Sequence, residues 1–154
     1  MIFQFLTTES TEATEMEEWN DLSGRIIGAA ISVHSELGSG LLESAYERCL
    51  LIEIKQLEIP VECQVDLAIN DRGIRVPAAY WIDMWVDRKV ILEGKAVQHL
   101  ESIHEAQPLS YLKLTGCRLG LLMNFNVKRI RDGIKRMGAL KIFPSVFSVL
   151  SVVK

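Results

Sequence analysis

Apolar residues between Glu17 and Leu37 (Trp19, Leu22, Ile26, Ile27, Ala30, Val33, Leu37) recur at steps of three and four, which predicts a helix buried along one face. Gly38-Ser39-Gly40 ends it. A second helix is expected from about Leu41 to Leu57, with Leu42, Ala45, Cys49, Leu50 and Ile52 on its apolar side and Pro60 closing it. The period then changes. Val61 to Ile69 alternates, Asn70-Asp71-Arg72-Gly73 reads as a turn, and Ile74 to Tyr80, Trp81 to Val86 and Lys89 to Val97 continue as extended chain, together an antiparallel meander. Ser102-Ile103-His104-Glu105 has the form of a capping box for a helix running to Leu114 and stopping at Gly116. Arg118 to Phe125 is a nearly all-apolar central strand, and Lys128 to Met137 is expected as a basic helix. Ala139 to Lys154 alternates apolar residues with serine and reads as an edge strand or an apolar tail. The predicted order is ααβββ(β)αβα, without internal repeats.

A chain of 154 residues, 49% of them hydrophobic, buries one core and is too short for two ordinary domains. Residues 1–16, rich in Thr and Glu, are expected as a flexible acidic arm, 17–138 as the folded domain and 139–154 as the tail. Cys49, Cys63 and Cys117 are odd in number and widely spaced, the usage of a reducing compartment. No signal peptide and no membrane span is legible, so a cytoplasmic protein is expected. Val146, Phe147, Val149, Leu150, Val152 and Val153 make the tail a surface on which a homodimer could form.

Charge distribution changes the picture more than the net charge of −3. Residues 1–21 hold six carboxylates and no Lys or Arg, so the remainder of the chain carries +3. Lys128, Arg129, Arg131, Lys135 and Arg136 crowd into one stretch of the expected basic helix, where either a polyanion docks or a helix face is simply solvated. A fold-back of the acidic arm over that face would restrain polyanion binding.

Candidate chemistry lies in two apolar strands that carry charges. Asp83 interrupts Trp81–Val86, and Glu93 and Lys95 interrupt Val90–Val97. Isolated charges in such surroundings are costly, so they pair with one another or with a metal. Glu93 and Lys95, two apart, share a strand face. Asp83 joins that face if it pairs with Glu93 around a three-residue loop Asp87-Arg88-Lys89, or through a bulge; a two-residue turn would put it on the other face. Two converging carboxylates suit Mg²⁺ or Mn²⁺, which can hold a phosphoryl oxygen and lower the pKa of a water, while Lys95 orients or deprotonates that water or steadies the developing negative charge. The plain alternative is a structural ion pair on a solvated sheet face.

Gly40-Leu41-Leu42-Glu43-Ser44-Ala45-Tyr46 reads G-x-x-E-x-x-Y. With Val33-His34-Ser35-Glu36-Leu37-Gly38, Glu93-Gly94-Lys95-Ala96-Val97, His104-Glu105-Ala106-Gln107, Ser110 to Gly116 and Leu121 to Asn126, it resembles the GxxExxY protein family of the PD-(D/E)XK nuclease-like superfamily, over about Ile26 to Met137. The resemblance implies an α/β, restriction-endonuclease-like core: a mixed sheet with an antiparallel meander, flanked by helices. It implies Asp83 and Glu93 as metal ligands and catalytic residues, Lys95 as the catalytic lysine and Glu43 as the helix-borne residue completing the metal shell. Gln107 and Tyr111 resemble the Q-x-x-x-Y motif of exonuclease-like branches, and Tyr46, His104, Lys128 and Arg129 join them as candidate substrate contacts. Pro108 leaves the direction of Gln107 open, because a proline inside a helix bends its axis. Neither His34 nor His104 has zinc-like spacing, and His34 reads as a packed or capping residue. The function so implied is a metal-dependent nuclease hydrolysing DNA ahead of RNA by metal-activated water. The alternative is a non-catalytic nucleic-acid-binding or accessory protein that keeps the fold.

Overall fold

Between Ile2 and Ser23 no glycine or proline interrupts the chain, and the helix set by the Trp19–Leu37 stripe extends back through this stretch because elongation costs far less than nucleation. In the computed structural model, which describes residues 2–138, the first helix α1 therefore spans Ile2–Leu37 and does not begin near Glu17 as expected. Its acidic residues find partners on the sheet: Glu15 pairs with Arg118 at 2.8 Å and Glu18 with Lys89 at 3.6 Å. These half-exposed pairs add little stability each, but they direct the acidic face of α1 toward Arg118 and Lys89. The expected edge strand or tail at 139–154, and the homodimer inferred from it, lie outside the described residues.

Gly38, at φ 69°, ends α1, and its N–H closes on the His34 carbonyl at 2.8 Å. Helix α2 follows at Glu43–Gln56, then strands β1 (Val61–Asp71), β2 (Ile74–Val86) and β3 (Val90–Lys95), helix α3 (Ser102–Thr115), β4 (Leu119–Asn124), a single 3-10 turn (Ile130–Gly133) and β5 (Ile134–Gly138). One five-stranded sheet runs in the order β1-β2-β3-β4-β5. The first three strands form the expected antiparallel meander, α3 crosses over to make β3 and β4 parallel, and β5 returns antiparallel to β4. The expected mixed α/β architecture is thus present.

Three local expectations are corrected. Lys128–Met137 is not a helix: the hydrogen-bonding edge that β4 leaves open is filled by Ile134–Gly138, which pairs with Leu119–Met123. That pairing satisfies backbone groups a separate helix would leave exposed beside a buried strand. The cap of α3 sits one residue earlier than the Ser102–Glu105 box. Glu101 accepts from the His104 backbone, and its own N–H donates to His104 Nδ1 at 2.9 Å. Pro108 does not break α3, which is continuous to Thr115 before Gly116 closes it in the left-handed region.

Alternation along the strands divides the core. Val90, Leu92, Leu119, Leu121 and Met123 pack on α1 and α2 (Ile26, Ala30, Val33, Leu50, Ile54). Ile91 and Leu122 pack with Tyr111 and Leu112 of α3 on the other face. Among the described residues no helix is long and apolar enough to cross a membrane, and the three cysteines are unbridged.

Candidate active site

A change of face along β2 makes the site. Ile82 packs on the α3 side, yet Met84, two residues on, packs on the α1/α2 side. The strand is therefore twisted at Asp83. Opposite it, Gln64 of β1 holds φ 50°, a region costly for a residue with a Cβ and frequently found at functional positions. Beyond this point β2 and β3 separate, since only Met84–Val86 pair with Val90–Leu92. The register Met84↔Leu92, Trp85↔Ile91, Val86↔Val90 carried one step further sets Asp83 against Glu93. The three-residue loop that this pairing requires is present, with Asp87 and Arg88 at φ 50° and 52° and the Lys89 N–H donating to the Val86 carbonyl at 2.9 Å.

Asp83 Oδ2 accepts the Gly94 N–H at 3.1 Å, tying its carboxylate to the β3 backbone between Glu93 and Lys95. Glu93 is 1% exposed, and its Oε1 has no hydrogen-bond partner. Burial first, then a hydrogen bond shared with Asp83 and the charges of Asp83 and Glu43, push the Glu93 carboxyl up to about 10 against the opposing pull of Lys95. With no cation at hand, a proton on Glu93 neutralises the pair.

Helix α2 supplies two further carboxylates. Glu43 is close enough for its charge to act on Glu93 and on Glu47. Glu47, which the motif does not single out, has its pKa raised chiefly by burial, with Asp83 and Glu43 adding to the rise. Its Oε1 accepts from Gln64 Nε2 at 2.7 Å, joining α2 to the strained position opposite Asp83. Glu47 was findable from sequence as the residue one helical turn after Glu43; Gln64 was not, because only the twist of β2 brings it there.

On the other face, Tyr111 is buried, packs edge-on against Tyr80 at 5.8 Å and hydrogen-bonds Gln107. Burial and then the Glu93 charge push its phenol up to about 12, so it remains a neutral donor. Gln107 and Tyr111 thus meet the carboxylate pair as their spacing implied, despite Pro108.

Two expected substrate contacts are otherwise engaged. Tyr46 is fully buried and stacks on Phe125 at 4.7 Å, its hydroxyl donating to the Gly38 carbonyl at 2.6 Å and accepting from the Leu41 N–H at 3.1 Å. It staples the loop that leads into Glu43. Tyr46→Phe is expected to cost about 1–3 kcal/mol, as a buried hydroxyl pair is lost and its partners stay buried; a lowered urea midpoint at unchanged slope would report it. His104 spends Nδ1 on the α3 cap. Lys128 and Arg129 lie on an exposed loop after β4, not on a helix.

The basic cluster is divided by the hairpin. Lys135 pairs with Glu105 on α3, while Arg136 reaches Asn20 and Ser23 on α1. The acidic residues of α1 pair with Arg118 and Lys89, at the end of the sheet away from Lys95.

Among the described residues, no three His, Cys, Asp or Glu side chains stand close enough to cage a metal, so Glu43 does not complete the expected shell as it stands. The donor set still fits Mg²⁺ or Mn²⁺. Such ions commonly take one or two carboxylates and fill the remaining positions with water and phosphate oxygens, and the unpartnered Glu93 oxygen beside Asp83 is a hard ligand without another use.

A sequence model of the PD-(D/E)XK nuclease superfamily matches residues 20–137, from the middle of α1 into β5. No curated protein and no solved structure matches the chain significantly.

Proposed function

The chain belongs to the PD-(D/E)XK nuclease superfamily, and on that premise we propose that it is a metal-dependent phosphodiesterase that hydrolyses DNA, with RNA the second candidate substrate. The observation that carries the reading is the buried Glu93 carboxyl, with one oxygen unpartnered, beside Asp83 at the point where β2 and β3 separate. A structural ion pair would satisfy that oxygen; a ligand site leaves it free.

Asp83 and Glu93 would hold Mg²⁺ or Mn²⁺. When bound there, such an ion supplies Lewis-acid polarisation of a phosphoryl oxygen and a lowered pKa for water. Lys95, on the same strand face as Glu93, brings a positive charge to the place where negative charge develops on phosphorus. Its strand end is held by the Phe125 N–H, which donates to the Lys95 carbonyl at 2.8 Å, and by Asn124, whose side chain grips both backbone groups of Val97 at 3.1 and 2.9 Å. Tyr111 and Gln107 offer hydroxyl and amide groups beside the carboxylates, where they would orient the substrate.

The test is cleavage of single- and double-stranded DNA and RNA with Mg²⁺ or Mn²⁺ by wild type, Asp83→Ala and Lys95→Ala, each checked for folding. Metal-dependent cleavage absent from both variants is expected. Cleavage that survives both substitutions, or none by wild type, would turn the reading to a nucleic-acid-binding module.

A further inference from the structure

Of the five basic residues between 128 and 136, three remain together. Lys128, Arg129 and Arg131 are exposed and, with His34, Ser35 and Ser39, line a concavity of about 510 Å³ between the C-terminal end of α1 and the 3-10 turn. No carboxylate lines it. Asp132 holds Arg129 through Nε at 3.0 Å, whereas Lys128 and Arg131 have no ion-pair partner among the described residues.

The wall carrying these charges is built, not loose. His34, 8% exposed, places Nε2 3.1 Å from the Phe125 carbonyl and 2.9 Å from that of Val127. Both are acceptors, so Nε2 carries the hydrogen and fastens the loop to α1. Ile130, 4% exposed, anchors the 3-10 turn in the core. An anion entering the concavity would meet cations on a held loop, with two serine hydroxyls opposite.

The concavity and the carboxylate pair open at the same end of the sheet. Phe125, whose carbonyl His34 grips, donates its N–H to Lys95. Ser39 is four residues from Glu43, which chain geometry limits to about 14 Å, some four nucleotide rises of about 3.4 Å along one strand.

We propose that this concavity binds a backbone phosphate of a nucleic-acid strand, a few nucleotides from the one addressed by Asp83, Glu93 and Lys95. The choice of a nucleic acid over another phosphate ligand rests on the nuclease reading; the anion chemistry does not. Lys128 and Arg131 carry the contact, Arg129 adds to the field, and Ser35 and Ser39 offer hydrogen bonds to phosphate oxygens.

The experiment is a titration of a labelled short DNA duplex with the full chain in the absence of divalent metal, followed by anisotropy over a series of salt concentrations. Wild type is compared with Lys128→Gln/Arg131→Gln and with Lys55→Gln/Lys113→Gln, which removes the same charge from exposed sites near the C-terminal ends of α2 and α3. The pocket variant is expected to bind more weakly and to lose about 2 from the slope of log K against log salt, about one per released phosphate contact. The control variant keeps the wild-type slope. Equal slopes in all three proteins, or no binding by wild type at low salt, overturn the proposal. So does inorganic phosphate raising the melting temperature of wild type but not of the pocket variant while duplex affinities stay equal, which would make the pocket a free-anion site. Loss of slope in a chain that cuts nothing sinks the nuclease reading alone; cutting with an unchanged slope sinks the pocket alone.

Discussion

Metal-free Glu93→Gln is expected to melt at a higher temperature than wild type above neutral pH and to have no metal-dependent cleavage. In wild type the Glu93 carboxyl is pushed from an ordinary value of 4.5 up to about 10, so the fold binds a proton that the unfolded chain releases. For a group raised in the folded state, the stabilisation is complete below the unfolded value and is lost as pH rises toward the folded one. Between about pH 5 and 9 the metal-free wild type should therefore weaken, by at most about 1.4 kcal/mol per pH unit. The amide of the Glu93→Gln variant carries no such proton, so the gap between the two proteins should widen with pH. Each kcal/mol corresponds to about 2–4 °C in a chain of this size. Mg²⁺ should stabilise wild type by replacing the proton and leave the variant unmoved. Thermal melts at several pH values, with and without Mg²⁺, check all of this; parallel pH dependences would show that Glu93 is not the buried proton carrier.

Gly133→Ala should cost stability and activity together. A Cβ there would lie 2.2 Å from the Asn124 carbonyl oxygen and 3.2 Å from its carbon, so backbone must move, and overpacking of this kind costs about 1–3 kcal/mol or more. What moves is Asn124, whose side chain holds Val97 and accepts the Asn126 N–H at 3.2 Å. The strand end bearing Lys95 loosens with it. Gly94→Ala is the counterpart within the site itself: its Cβ would meet only the Phe125 ring, at 3.9 Å. Replacing a strand glycine there should be neutral or gain up to about 1 kcal/mol through the unfolded chain. Urea titration and cleavage rate of both variants distinguish the two; a well-folded, active Gly133→Ala would show that the turn is not what holds Asn124.

Much of this site is local enough to read along the chain. The two-residue step from Glu93 to Lys95 places them on one face whatever the sheet does. The parity of antiparallel pairing made the Asp87–Lys89 loop a condition for Asp83 to join them, and the register meets that condition. The four-residue step from Gln107 to Tyr111 survived the proline between them because α3 continues through it. In each case the determining geometry spans a few residues of one element or one hairpin.

Elsewhere, residues distant in sequence decided the outcome. The residues 128–136 have a helical charge pattern, but the open edge of β4 drew half of them into a strand and dispersed the five cations. Tyr46 and His104 carry groups fit for substrate, yet a loop carbonyl and a helix cap took them first, since a polar group near the core must find a partner wherever one is closest. Glu47 and Gln64 entered the site only because α2 packs across the twisted β1–β2 pair. Periodicity and parity, properties of the covalent chain, therefore determined which carboxylates and which lysine share a face. Burial, edge pairing and competition for hydrogen bonds exist only between elements, and they alone decided which neighbours complete the site.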